Sequence, residues 1–271
     1  MPRHRSCYRI CLGTLAAVLC GVALAGEPVT AAPGVTFQSE TYHDAPFTVA
    51  WLDLTETHLE LFWKRPDDTP FVNFANLDQW LTGHGKKLVL ATNSGIYAED
   101  RTPLGLHVQN GVELRMLNPH KGGKANFALK PNGVFYVDGD GAHIKTTEAY
   151  AEAAPKPTLA VQSGPLLVID GALHPKFQAD STSIHFRNGI GVADTKRIAI
   201  AISDLPVNFY TFASFFKERL GCANALYLDG SLSGLYAPAI ERTAPGVEYV
   251  GILAVTANID AAEDKDGDGH E

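Results

Sequence analysis

Four short runs of small and polar residues carry the groups that could do chemistry in this chain. They are Asn93-Ser94-Gly95, Gln162-Ser163-Gly164-Pro165, Arg187-Asn188-Gly189-Ile190-Gly191 and Asp229-Gly230-Ser231-Leu232-Ser233-Gly234. Read as turns at strand ends, they would let a rigid sheet hold polar groups at a pocket rim. Glycine lets backbone N–H groups approach a ligand, and several such groups together hold an anion. Asp229 leads the individual candidates. It leaves the apolar run Ala225-Leu226-Tyr227-Leu228 and precedes a glycine, so its carboxylate should project from a buried strand end. The competing use is a turn-fixing Asp that bonds its own backbone. Arg187 is the natural anion partner, because a guanidinium stays charged and grips phosphate through two N–H groups. Its competing use is a surface ion pair.

Other chemistries fit less well. Gly230-Ser231-Leu232-Ser233-Gly234 looks like a nucleophile elbow, but its central residue is Leu232 rather than serine. The nine histidines beyond residue 25 are scattered and form no H-E-x-x-H, which leaves a zinc site without support. Asp264-Lys265-Asp266-Gly267-Asp268-Gly269 copies the first half of a calcium loop, yet the sequence stops at Glu271, short of the bidentate Glu such a loop needs. No cofactor is predicted, and a divalent cation is left open.

The elements that must position these groups are mostly strands. Residues 47–54 and 58–63 read as a hairpin, and 87–92, 106–109, 112–117, 127–129, 159–162, 166–169, 198–202, 225–228 and 249–256 as further strands. Phe74, Leu77, Trp80 and Leu81 recur at helical spacing, closed by Gly83. Asn208 can cap a helix over 209–220, whose Phe209, Phe212, Phe216 and Leu220 share a face and which Gly221 closes. Many strands with two or three helices predict an α+β fold, a single domain over 41–258 with a largely antiparallel or mixed sheet.

The ends of the chain carry other signals. Arg3, Arg5 and Arg9 precede a charge-free stretch over 10–24 that ends in Ala23-Leu24-Ala25, the pattern of a cleaved signal peptide over 1–25. That apolar run is too short for a stable membrane span. Export to the periplasm or the medium is therefore expected. Cleavage would remove three arginines and no acid, taking the formal charge from -8 to -11. It would also leave Cys222 as the single cysteine, a buried apolar residue rather than a nucleophile, so no disulfide framework is available. Residues 26–40 read as an exposed leader and 259–271 as a solvated acidic tail. With 45% apolar and 19% charged residues the chain is globular rather than fibrous or disordered. Its acidity argues against nucleic acid as a partner.

The order and spacing of the four runs carry a resemblance. With Ile202-Ser203-Asp204, Pro206-Val207-Asn208-Phe209-Tyr210 and Tyr227-Leu228-Asp229-Gly230-Ser231, the chain resembles the phosphodiester glycosidase family in its bacterial exported branch, over roughly 85–257. The resemblance implies hydrolysis of a sugar-1-phosphodiester at the glycosidic bond, releasing sugar and a phosphomonoester. It aligns the family's loops with Asn93, Ser94 and Gly95, with Gly164 and Pro165, with Arg187, and with Asp229 and Gly230. Ser94 and Ser231 stand where glycines are usual, which bears on pocket shape. Asp229 and Arg187 are thus the catalytic candidates. Asn93, Ser94, Gly95, Ser163, Gly164, Asn188, Gly230, Ser231 and Ser233 are the substrate-binding ones. Asp204 and Glu99 are candidates for a second carboxylate. A phosphomonoester leaves as a stable anion, so the demand falls on neutralising its charge and on a carboxylate that balances a cation-like sugar carbon. Two other readings compete. One is a non-catalytic envelope protein that binds an anionic glycan through aromatic residues such as Tyr97, Tyr236 and Trp63. The other is a hydrolase using Ser231 or Ser233.

Overall fold

The run Ile198-Ala199-Ile200-Ala201-Ile202 fills two cores from one strand. Its three isoleucines point to one face and its alanines to the other, as the two-residue strand period requires. The alanines are small because Phe212, Phe215 and Phe216 crowd that second face. The computed structural model describes residues 26–119, 126–229, 232–243 and 247–259. The expected signal segment, Gly230, Ser231 and all but the first residue of the acidic tail lie outside these.

Three sheets surround a shared core, and every pairing among the described strands is antiparallel. The first sheet runs, edge to edge, through Val29–Ala32, Val35–Tyr42, Ala45–Asp53, Arg197–Ser203, Asn188–Val192, Asn224–Asp229, Leu166–Ile169 and Ala172–Leu173. The second holds Val112–Arg115, His107–Gln109, Leu159–Ser163, Gly133–Asp138 and Gly141–Thr146, and the third Leu235–Tyr236, Lys86–Asn93, Ile252–Asn258 and Glu60–Phe62. All three turn apolar residues inward, among them Leu52, Ile200 and Leu226 from the first, Phe135 and Val161 from the second, and Leu90 and Leu253 from the third.

Each sheet also carries a helix on its outer face. Phe74–Thr82 packs Phe74, Leu77 and Leu81 on the third sheet, and the Asn73 side chain accepts from the Asn76 N–H to cap it. Thr147–Ala153 sets Tyr150 against Val134 and Tyr136 of the second. Phe209–Ser214, capped by Asn208 and continued as a π-helical turn Phe215–Arg219, covers the first. This is the expected α+β fold in one domain, with wholly antiparallel pairing among the described strands.

Four expectations are corrected. The expected exposed leader over 26–40 is instead sheet. Val29–Ala32 and Val35–Tyr42 form its edge, with Val35 and Phe37 fully buried. Alternation in Val35-Thr36-Phe37-Gln38 was its signal, hidden among prolines and small residues. Residues 47–54 and 58–63 do not form a hairpin: Ala45–Asp53 pairs with Val35–Tyr42 and Arg197–Ser203, while Glu60–Phe62 joins Ile252–Asn258 in another sheet. The segment 127–129 is part of a short 3-10 turn, Asn126–Ala128, rather than a strand.

The fourth concerns Asn188-Gly189-Ile190-Gly191, read above as a turn and observed as a central strand. Its glycines serve packing, not bending. A Cβ on Gly191 would lie 2.6 Å from both the Cys222 Sγ and the Phe216 ring, and one on Gly189 3.2 Å from Phe212. The phenylalanine helix rests directly on this bare strand.

Candidate active site

Strands from all three sheets end at one place. Lys86–Asn93 finishes at Asn93, Leu159–Ser163 at Ser163 and Asn224–Asp229 at Asp229, while Asn188–Val192 begins there, with Asn188 opposite Asp229 across a bulge. A bulge at a strand end re-aims side chains, and side-chain hydrogen bonds lock these ends together.

Asn188 is the hub. Its Nδ2 lies 2.9 Å from Thr92 Oγ1, 2.9 Å from Asn93 Oδ1 and 3.1 Å from Asn93 O, so its two N–H groups are shared among three acceptors of the neighbouring sheet. Its Oδ1 accepts from the Asp229 backbone N–H at 3.2 Å and shares the single Ser233 hydroxyl proton, with Oγ at 3.3 Å, with Asp229 O. Asn93 Oδ1 also accepts from the Gly234 N–H at 2.9 Å, and Ser233 Oγ donates to Asp229 O at 2.8 Å. Ser163 Oγ donates to Leu228 O at 2.7 Å, tying the second sheet to the strand that carries Asp229. Gly95 lies against Val161 and Ser163, and the Ser94 N–H donates to Gly251 O. Asn93 Nδ2 is buried without a partner among the described residues, and the other hydrogen bonds of this network rigidify their surroundings.

Asp229 is held 7% exposed at the centre of this network. Its charge acts on Tyr97 and Tyr249, which line a cavity of about 400 Å³ with Arg101, Leu232, Val247, Glu248 and Val250. Burial, then the Asp229 carboxylate, pushes the Tyr249 hydroxyl up to about 12, and the same two causes raise Tyr97. Both phenols are therefore neutral donors at neutral pH. The Tyr249 hydroxyl is buried with no partner among the described residues and occupies the space where a Gly234 side chain would stand. Arg101 pairs with Glu248 at the cavity wall. Beneath Ser94 the His107 imidazole is 1% exposed, its Nε2 unpartnered among the described residues, and burial holds it near a pKa of about 4.

The structure thus brings together Asn93, Ser94, Gly95, Ser163, Asn188, Asp229 and Ser233. Gly164 turns aside, against Asn132. Gly230 and Ser231 lie outside the described residues. Arg187 is not brought to this cluster. One residue before Asn188, it faces the other side of the sheet, where the centre of its planar guanidinium lies 3.7 Å from the centroid of the Phe209 ring. Its Nε donates to Val207 O at 2.8 Å, one terminal nitrogen to Ser183 O at 3.0 Å and the other to Tyr227 Oη at 3.2 Å, and its backbone N–H donates to Ser203 Oγ. The 202–210 segment is therefore the cradle of Arg187. Of the proposed second carboxylates, Asp204 is taken by Thr48 and Arg242, and Glu99 is exposed. Sequence reasoning missed Arg101, Glu248, Tyr249 and His107. They carry no local pattern, and only the packing of the 97–103 and 247–251 segments assembles them.

Among the described residues no group of three or more His, Cys, Asp or Glu could hold a metal ion, and no helix is long and apolar enough to cross a membrane.

A family profile described as phosphodiester glycosidase matches residues 86–248. The chain is 33% identical over 178 residues to the uncharacterized protein YigE of Escherichia coli K12, covering 66% of this chain and 69% of that one. In fold it is similar to the catalytic domain of zebrafish N-acetylglucosamine-1-phosphodiester α-N-acetylglucosaminidase, described as auto-inhibited by its pro-peptide. That match has a TM-score of 0.56 and 12% identity, over 84% of this chain and 87% of that one. A hypothetical protein from Synechocystis matches with a TM-score of 0.55 and 14% identity, over 83% of this chain and 62% of its own.

Proposed function

This chain belongs to the phosphodiester glycosidase family, and on that premise we propose that it is an exported hydrolase that cleaves the glycosidic bond of a sugar-1-phosphodiester. The observation that supports this reading is the convergence of three sheet ends on the buried Asp229 carboxylate, whose charge reaches the Tyr97 and Tyr249 hydroxyls in the wall of the cavity of about 400 Å³. In the reaction, water's oxygen bonds to the anomeric carbon. The bond from that carbon to the phosphoryl oxygen breaks, and its electron pair leaves on the phosphate. The proton released by water passes to solvent. The Asp229 carboxylate balances the positive charge that develops on the sugar. A phosphomonoester is a stable leaving anion, so no strong acid is needed beside it. Arg101, with its charge at the cavity wall, is suited to the phosphoryl group, which would compete with Glu248 for it. Arg187 acts one step away as a positioning residue, bracing Tyr227 in the strand that ends at Asp229. The basic start and apolar run of residues 1–25 support export.

The test is a product assay on the chain from Gly26 onward, with a panel of sugar-1-phosphodiesters. Free sugar and phosphomonoester are expected in equal amounts, and Asp229→Asn should lower turnover by roughly 10²–10³-fold. Saturable binding of the diesters without turnover would instead leave the glycan-binding reading.

A further inference from the structure

A second cavity, larger than the one beside Asp229, sits between the third sheet, its helix and the edge strand Val112–Arg115. It has a volume of about 810 Å³ and shares no lining residue with the cavity of Tyr97 and Tyr249. That volume lies in the range of small-molecule sites, roughly 300–1,000 Å³. Its wall is aromatic, with Trp63, Phe71 and Trp80, and Leu114 stands 40% exposed at its edge.

The charge of this wall opposes that of the protein. The whole chain has a formal charge of -8, yet Lys64, Arg65, Lys86 and Arg115 line the cavity against only Glu60 and Asp68. Both acids are engaged, Asp68 with Lys64 at 3.5 Å and Glu60 with Lys86 at 4.0 Å. Arg65 and Arg115 form no ion pair among the described residues. Arg65 lies over the Phe71 ring at 5.6 Å, and Arg115 donates only its Nε, to Pro103 O at 3.3 Å. The acids next to them in charge, Asp67 and Asp100, are bound by Thr69 and Thr102. The wall also holds two N–H groups without an acceptor among the described residues, Trp63 Nε1 and Arg65 Nε, with Trp63 only 6% exposed. Two guanidinium forks with vacant N–H groups suit a phosphate or carboxylate. Indole and phenyl surfaces suit the apolar faces of a sugar ring.

We propose that this cavity is a second binding site, separate from the Asp229 site, for an anionic saccharide whose charged group is held by Arg65 and Arg115 and whose ring lies against Trp80. It does not depend on the hydrolytic reading. The hairpin 97–103 supplies Tyr97 and Arg101 to one cavity and Thr102 to the other, so the two sites lie on either side of one short segment. A glycan held in the second would be retained near the first.

The probe is trehalose 6-phosphate, which has no sugar-1-phosphodiester bond to hydrolyse, with trehalose and inorganic phosphate as controls. Two of the three tryptophans line this cavity, so emission reports on it directly, and calorimetry gives the stoichiometry. One saturable site is expected, at least tenfold tighter for trehalose 6-phosphate than for either control. It should weaken at least tenfold in Arg65→Ala/Arg115→Ala and persist in Asp229→Asn. Should the double variant unfold, Arg115→Ala alone, at an exposed position, serves the same purpose and should weaken binding about threefold or more. Absence of a saturable response, equal affinity for trehalose, or affinity unchanged in the arginine variants would overturn the proposal.

Discussion

At the residue scale, two buried ionisable groups carry opposite lessons. Arg187 has the residue type of a phosphate clamp but the surroundings of a strut, 1% exposed, stacked on Phe209 and bonded to two carbonyls and Tyr227. Removing it leaves those acceptors unpaired in a cavity, so Arg187→Met should cost about 3–5 kcal/mol in urea unfolding. Unchanged stability together with a raised KM would show that the guanidinium meets substrate instead. His107 gives a pH dependence with a definite sign. Its pKa is about 4 in the folded protein, against the 6.5 of an unperturbed imidazole, so the unfolded chain binds the proton more readily. Its contribution is whole above about pH 6.5 and is lost as pH falls toward 4, amounting to about 3 kcal/mol across that window. Unfolding curves at pH 7.5, 5.5 and 4.5 should show this slope, and His107→Gln should flatten it. A slope identical in the variant would contradict the assignment.

At the scale of elements, the central strand Asn188–Val192 shows how much of the site could be read from sequence and what could not. Asn93, Ser163 and Asp229 are legible because each ends an apolar run, and strand ends gather where sheets meet, whereas Asn188 stands out only as a polar residue in a glycine-rich run. The strand itself was hidden by its glycines, whose local signature is that of a turn. Their cause is non-local, the approach of Phe212 and Phe216 from the helix and its π-helical turn and of Cys222 just beyond them. Gly191→Ala should therefore destabilise by about 1–3 kcal/mol through overpacking. Cys222→Ala in the same chain should restore part of the loss, which a double-mutant cycle of unfolding free energies would read. Strict additivity would mean that the two residues do not compete for that space. Likewise the Tyr97, Arg101 and Tyr249 wall could not be read, because two loops far apart in sequence meet only after the sheets have formed.

For the whole molecule, one core serves three sheets, and the strand Val35–Tyr42 belongs to it. Val35 and Phe37 are buried in that core, each contributing about 1.5–3 kcal/mol. A chain beginning at His43 loses both, along with the ladder to Ala45–Asp53, out of a total stability on the order of 5–15 kcal/mol. It should show no cooperative thermal unfolding by circular dichroism, and a melting temperature within a few degrees of the longer chain would contradict the sheet's extent. The α+β class and a largely antiparallel or mixed sheet followed from strand count and turn chemistry, and the structure resolves that choice to antiparallel pairing among the described strands. The division into three sheets did not, because which strands pair is decided across the chain, as when Glu60–Phe62 crosses to Ile252–Asn258. That arrangement puts the Asp229 carboxylate at the meeting point of the sheets, and so the central claim concerns which bond breaks. Carbon–oxygen and phosphorus–oxygen cleavage of a sugar-1-phosphodiester give the same two products, and only the fate of water's oxygen separates them. The measurement is hydrolysis in ¹⁸O-labelled water followed by mass spectrometry of the phosphomonoester. Attack at the anomeric carbon predicts a phosphomonoester free of the label. One atom of ¹⁸O in it would place the attack on phosphorus and contradict the role given to Asp229.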